Sequence, residues 1–302
     1  MRQLRLFLAL FLCIALLLSG CAGAADTPPP APLTSTPPET LKVLAIGGSF
    51  SVDAMEYLYQ IAQDAGVKEI TLGILSSGGA SLSKHLGFAQ DNSRSYTYFK
   101  NTAGTWEETK KCRMSDILAE EQWDYITLQQ TSGASGRSDT YKGVLPQLIE
   151  YVRSKNSSAK LVWHMTWAYQ ADSTHAEFSL YEKNQQKMYE MILSCLNEHI
   201  LPESRFSFII PAGTAIQNAR TSFLGDTLTR DGYHLDLHIG RYIAGLTWFA
   251  ALTNSPVDSI TYNPDANLIS DDMLSAAREA ATNAILTPYA VTQSAITQGV
   301  RP

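Results

Sequence analysis

Short apolar runs that alternate with helix-period segments constrain this chain most. Leu41–Ile46 (LKVLAI), Ile70–Leu75, Tyr125–Leu128, Lys160–Met165 and Phe206–Ile210 each end in turn or polar residues, as buried strands do. Between the first two, Met55, Leu58, Tyr59 and Ala62 recur at helical spacing until Gly66 stops them. Further helices are expected at Ser115–Glu121, Leu145–Val152 and Glu182–His199, with a last core helix at His238–Leu252 and an outer one at Asp271–Ile285. Such alternation implies a parallel sheet with helices on both faces. About five strands fit one α/β domain with a doubly wound, flavodoxin-like sheet. Tyr96–Phe99 and Thr105-Trp106, on either side of Gly104, predict a small hairpin insertion.

The two ends have a different texture. Arg2 and Arg5 precede an unbroken apolar run, Leu6–Leu18, which is too short to span a membrane comfortably. Its end, Leu18-Ser19-Gly20-Cys21, resembles a bacterial lipobox, in which the cysteine is lipidated after cleavage. Residues 1–20 are therefore expected to be a lipoprotein signal, and Cys21 the site of lipidation. The lipid would anchor an exported domain to a bacterial membrane, on its extracellular or periplasmic face. Residues 21–40 read as a tether, since 22–40 carry six prolines and no apolar periodicity. The folded domain is expected over 41–288 and a flexible tail over 289–302.

Composition excludes some partners. The formal net charge is −6, with no Lys/Arg stripe, so nucleic acid is not an expected partner. Once Cys13 and Cys21 are set aside, Cys112 and Cys195 remain; an exported setting permits a disulfide, but two buried free thiols are the expected state. No Cys or His pair has metal-ligand spacing, so neither a metal nor another cofactor is expected.

In a doubly wound sheet, ligands sit at the carboxyl ends of the strands. Gly47-Gly48-Ser49-Phe50-Ser51 occupies one such end. A serine on a tight glycine turn there projects its hydroxyl above the sheet edge, although Ser49 or Ser51 could equally cap the following helix. A dinucleotide fingerprint is excluded, because no second glycine pair follows Ser49. Thr229-Arg230-Asp231-Gly232-Tyr233-His234-Leu235-Asp236 precedes the last core helix. A serine hydroxyl needs a neighbouring base, and an imidazole serves best when a carboxylate fixes its tautomer. Asp231 and His234, three residues apart, can supply both. Each signal is weak alone.

Together, LAIGGSFSVDA, SSGGASLSKH, WDYITLQQTSG and RDGYHLD resemble the SGNH/GDSL hydrolase superfamily, in a branch known mainly as a domain of unknown function. The resemblance spans Leu41 to Leu252. It implies Ser49 as nucleophile, His234 as base and Asp231 as its orienting partner. It also implies an oxyanion hole made of the Ser49 amide, the Gly79 amide (or that of Gly78) and an asparagine side chain. This chain departs from the pattern at the last donor, where Gln129-Gln130 stands without an asparagine; the alternation of a strand does not settle which glutamine faces the site, and Gln130 is the favoured one.

The reading is a serine esterase that removes a small acyl group, such as acetyl, from a carbohydrate or related extracellular ester. A non-catalytic, lipid-anchored glycan-binding protein and an acyltransferase are the alternatives. His85 and Trp167 are possible substrate-binding residues, the latter in an aromatic cluster with Trp163, His164 and Tyr169 suited to a sugar face. His175 and His199 carry no assignment, and Glu182 and Glu190 read as a solvated helix face rather than a glycosidase pair.

Overall fold

The computed structural model describes residues 33–301. The expected signal, the lipidation site at Cys21 and most of the tether lie outside the described residues. Seven strands form one sheet: β1 (Thr40–Gly47), β2 (Glu69–Ser76), β3 (Tyr96–Asn101), β4 (Glu107–Cys112), β5 (Tyr125–Leu128), β6 (Lys160–His164) and β7 (Phe206–Ile210). Their order is β4-β3-β2-β1-β5-β6-β7. β2, β1, β5, β6 and β7 run parallel, which is the doubly wound order expected from the sequence. The predicted hairpin is β3–β4, and it pairs antiparallel with β2 to extend the sheet. β4 (EETKKC) is almost wholly exposed; its charges protect this edge from pairing with another chain.

The helices are α1 (Ser49–Met55), α2 (Leu58–Asp64), α3 (Leu82–Gln90), α4 (Met114–Leu118), α5 (Val144–Lys155), α6 (Gln185–Cys195), α7 (Ala212–Arg220), α8 (Ile239–Thr253) and α9 (Asp271–Leu286). α1, α2, α7 and α9 gather round α8 in one layer, while α3, α4 and α5 pack together in another. α8 (IGRYIAGLTWFAALT) is buried on nearly all sides, as an all-round apolar helix must be. Gly245 allows this packing: an added Cβ would sit 2.9 Å from Ile61 Cδ1 of α2.

Three expectations need correction. Glu182–His199 is not one helix: a 3-10 turn over Ala176–Tyr181 precedes α6, which starts after the Asn184 cap and ends in a π-type turn over Leu196–Ile200. The expected flexible tail is instead tied down. Thr292 N and Ser294 N donate to Asn218 Oδ1 and Thr221 Oγ1, and Phe223 N donates to Ile296 O. Polar partners on and just after α7 thus replace solvent for a segment whose composition alone reads as loose. Cys195 is buried as expected, but Cys112 is half-buried; both thiols are free.

Candidate active site

The parallel register aligns the strand ends that matter. Gly47 of β1 stands opposite Ser76 of β2, and Ile46 stands opposite Leu128 of β5. The loops that follow, beginning at Gly48, Ser77 and Gln129, therefore meet above one edge, where the crossover direction of the chain changes.

Ser49 is the first residue of α1, so its backbone N–H has no acceptor within the helix. Its hydroxyl reaches His234 Nε2 at 2.8 Å, and His234 Nδ1 reaches Asp231 Oδ2 at 2.7 Å. A carboxylate only accepts, so Nδ1 carries the proton and Nε2 presents its lone pair to the serine. Burial pushes the Asp231 carboxyl upward, but the hydrogen bonds that it accepts from His234 and Tyr233 outweigh this and hold it below the usual carboxylate value.

The His234 loop is shaped locally. Asp231 Oδ1 accepts from His234 N at 2.8 Å, Thr229 bridges to Leu235, and Arg230 N donates to His234 O at 2.9 Å. Gly232 closes the turn at φ +88°, where a Cβ would also fall 2.9 Å from Ser173 Oγ. Asp53, one turn after Ser49, then ties this loop to α1. It is buried, accepts from Leu235 N at 3.0 Å, and pairs with Arg230 at 3.0 Å and Arg241 at 2.8 Å. The distance between Ser49 and His234 is thus set by a buried carboxylate with two guanidinium partners.

A cavity of about 340 Å³ opens beside Ser49 and His234. One wall is Gly78, Gly79 and Ala80 from the loop after β2. Gly79 has φ +63°, and its N–H has no hydrogen-bond partner among the described residues. Gln129, Thr131, Ser132, His175, Glu177 and Tyr233 complete the lining. His175 and Tyr233 meet edge to face with centroids 4.5 Å apart. Glu177 lies across Gly133, where an added Cβ would fall 1.9 Å from Oε2.

Three expected residues take other places. Gln130 does not line this cavity: its Oε1 accepts from Leu82 N and Thr131 N, and its Nε2 donates to Thr140 Oγ1. It is buried and anchors the start of α3, while its neighbour Gln129 faces the cavity. His85 is buried against Tyr96, 2.7 Å from its hydroxyl, and burial lowers its pKa to about 4. Trp167 is fully buried; it stacks on Phe50 at 4.1 Å and donates to Tyr233 O, so it supports the cavity wall from behind. His175, Glu177 and Tyr233 were not singled out from sequence. For His175 and Glu177 the signal is the long irregular stretch between β6 and α6, since long loops in compact domains often serve a site; Tyr233 lies beside His234 in the segment before α8.

The family model described as a domain of unknown function, DUF4886, matches residues 42–284. Among solved structures, a DUF4886 family protein from Bacteroides uniformis is 44% identical, with a TM-score of 0.81, over 84% of this chain and 98% of that one. A candidate SGNH hydrolase from Slackia heliotrinireducens is 20% identical, with a TM-score of 0.45, over 70% of this chain and 97% of that one. A catalytic mutant of an acetylxylan esterase from Geobacillus stearothermophilus is 10% identical, with a TM-score of 0.43, over 70% and 94%. These last two are too distant to bear on the site. No curated protein matches the chain. The family match takes in all seven strands but for the first two residues of β1, and Ser49, Gln129, Asp231 and His234 alike: the chain belongs to the DUF4886 family.

Proposed function

We propose that this protein is a serine esterase acting on small acyl esters. The observation that carries the proposal is the hydrogen-bonded line from Ser49 through His234 to Asp231. Ser49 Oγ attacks the ester carbonyl as His234 Nε2 takes its proton, and Asp231 stabilises the imidazolium. The oxyanion of the tetrahedral intermediate faces three donors: the amides of Ser49 and Gly79 and the side-chain amide of Gln129. His234 returns the proton to the departing alcohol. Water, deprotonated by the same imidazole, then releases the acyl group from Ser49.

The cavity of about 340 Å³ lies at the small end of ligand sites, roughly 300–1,000 Å³, and favours a short acyl group. The polar and aromatic rim of Ser132, His175, Glu177 and Tyr233 suits a hydroxyl-rich alcohol such as a glycan. The lipobox-like Cys21 supports export and lipid anchoring, which would place such an ester outside the cytoplasm.

A fluorophosphonate probe tests the chemistry: wild type is expected to be labelled and Ser49→Ala is not. Folded wild type that stays unlabelled rejects the esterase reading. para-Nitrophenyl acetate compared with longer acyl esters tests the substrate, and a preference for long chains rejects the short acyl group alone.

A further inference from the structure

A glutamine amide can turn either its oxygen or its nitrogen toward the cavity, and only the nitrogen can stabilise an oxyanion. Gln129 Oε1 lies 2.6 Å from Ser51 Oγ and 3.1 Å from His164 Nδ1, and Nε2 lies 3.4 Å from Gln130 O. A carbonyl oxygen only accepts, so the group nearest Gln130 O must be the amide nitrogen. The amide oxygen then faces two donors, the Ser51 hydroxyl and the His164 ring. Ser51, Gln129 and His164 are all buried.

From this geometry we infer that His164 and Ser51 are positioning residues that lock the Gln129 amide with its nitrogen toward the reacting carbonyl. The inference rests on the esterase reading and deepens it. It requires one His164 tautomer, with the proton on Nδ1 and Nε2 bare. Nε2 has no hydrogen-bond partner among the described residues. Trp248 of α8 packs edge-on against the ring at 4.9 Å and keeps it enclosed. Burial also lowers the His164 pKa to about 3, so the ring is neutral at ordinary pH. The neighbouring glycine makes room for the lock. A Cβ on Gly47 would fall 2.5 Å from Ser51 Oγ and 2.8 Å from Gln129 Cδ. The first glycine of the Gly47-Gly48 turn therefore serves the amide as much as the serine.

The test has a kinetic and a spectroscopic arm. On para-nitrophenyl acetate, His164→Leu is expected to lower kcat about 30- to 100-fold with KM within about two-fold, because it frees one oxyanion donor without removing it. His164→Asn, whose side-chain N–H replaces Nδ1–H, is expected to recover most of the rate. In a Gln129→Ala background, His164→Leu is expected to cost nothing further, since both act through one amide. A full additional loss in that background, or no rescue by asparagine, overturns the inference and leaves the esterase reading intact. If His164→Leu does not fold, Ser51→Ala makes the same comparison from the other side of the amide. Independently of turnover, nitrogen-15 spectra of wild type are expected to show His164 as the neutral Nδ1–H tautomer. An Nε2–H tautomer overturns the inference even if the enzyme is active. Wild type inert to fluorophosphonate, but with the Nδ1–H tautomer, overturns the esterase reading instead.

Discussion

The His234 loop and Gln129, just past β5, border the same cavity, yet they are specified in different ways. In the loop, acid and base are three residues apart, and Asp231 both caps His234 N and holds Nδ1. The turn itself creates that geometry. Just past the end of β5, two identical side chains take different partners. Gln130 is consumed by Leu82, Thr131 and Thr140, while Gln129 is held by Ser51 and His164. Residues up to 78 positions away decide which glutamine reaches the site. A local turn builds the Asp231–His234 pair; only tertiary packing orients the Gln129 amide.

The largest expected effect tests the loop side. Ser49→Ala should abolish fluorophosphonate labelling and lower kcat at least ~10⁴-fold, with thermal stability close to wild type by calorimetry. Removing the tie between loop and helix should come next. Asp53→Ala leaves Arg230 and Arg241 without their buried carboxylate. It is expected to cost about 3–5 kcal/mol in urea unfolding and to lower kcat as the Ser49–His234 contact loosens. Unchanged stability would show that the loop holds its place without Asp53.

The two glutamines give the sharpest contrast. Gln129→Ala should lower kcat about 10²- to 10³-fold, the usual cost of one oxyanion donor, with little change in the melting temperature. Gln130→Ala should do the reverse. It orphans the buried amide of Leu82, at about 1–3 kcal/mol, and removes the acceptor of the part-buried Thr131 amide, while kcat stays within a few-fold. If Gln130→Ala proves the catalytically damaging variant, the assignment of the amide is wrong.

The smallest effect concerns the two buried histidines, His85 and His164. Burial lowers His85 to about 4 and His164 to about 3. As pH falls below about 6.5, the unfolded chain takes up protons on these rings before the native protein does. Their contribution to stability is therefore full above that pH and is lost progressively toward pH 4 and pH 3. Each adds at most about 1.4 kcal/mol per pH unit to the slope. Urea unfolding of His85→Asn between pH 7 and pH 4.5 should show a shallower slope than wild type, and an unchanged slope would contradict the burial of a neutral ring.

Much of this molecule is visible in its sequence. β1, β2, β5, β6 and β7 lie under the apolar runs, because a strand buried on both faces must be apolar throughout. Ser49 stands out because glycines crowd a strand end, and Asp231 with His234 because three residues bring both to one turn. α7 (AGTAIQNAR) and the ordered residues 289–301 were not legible. Their small and polar residues acquire meaning only from the neighbours they bury or bond. His85 and Trp167 read as possible rim residues, since histidine and tryptophan look alike in sequence whether buried or exposed; packing makes both internal. His175, Glu177 and Tyr233 reach the rim because two loops distant in sequence fold over the same strand ends.

The sequence by itself therefore determined the α/β class with its doubly wound sheet, and marked Ser49, Asp231 and His234 as the residues to look for. All of these follow from periodicity and short-range spacing. Only the tertiary structure decided which glutamine lines the cavity, which histidines are internal, and what surrounds them. Those outcomes depend on burial and on hydrogen-bond partners brought together from far along the chain, and no local pattern encodes them.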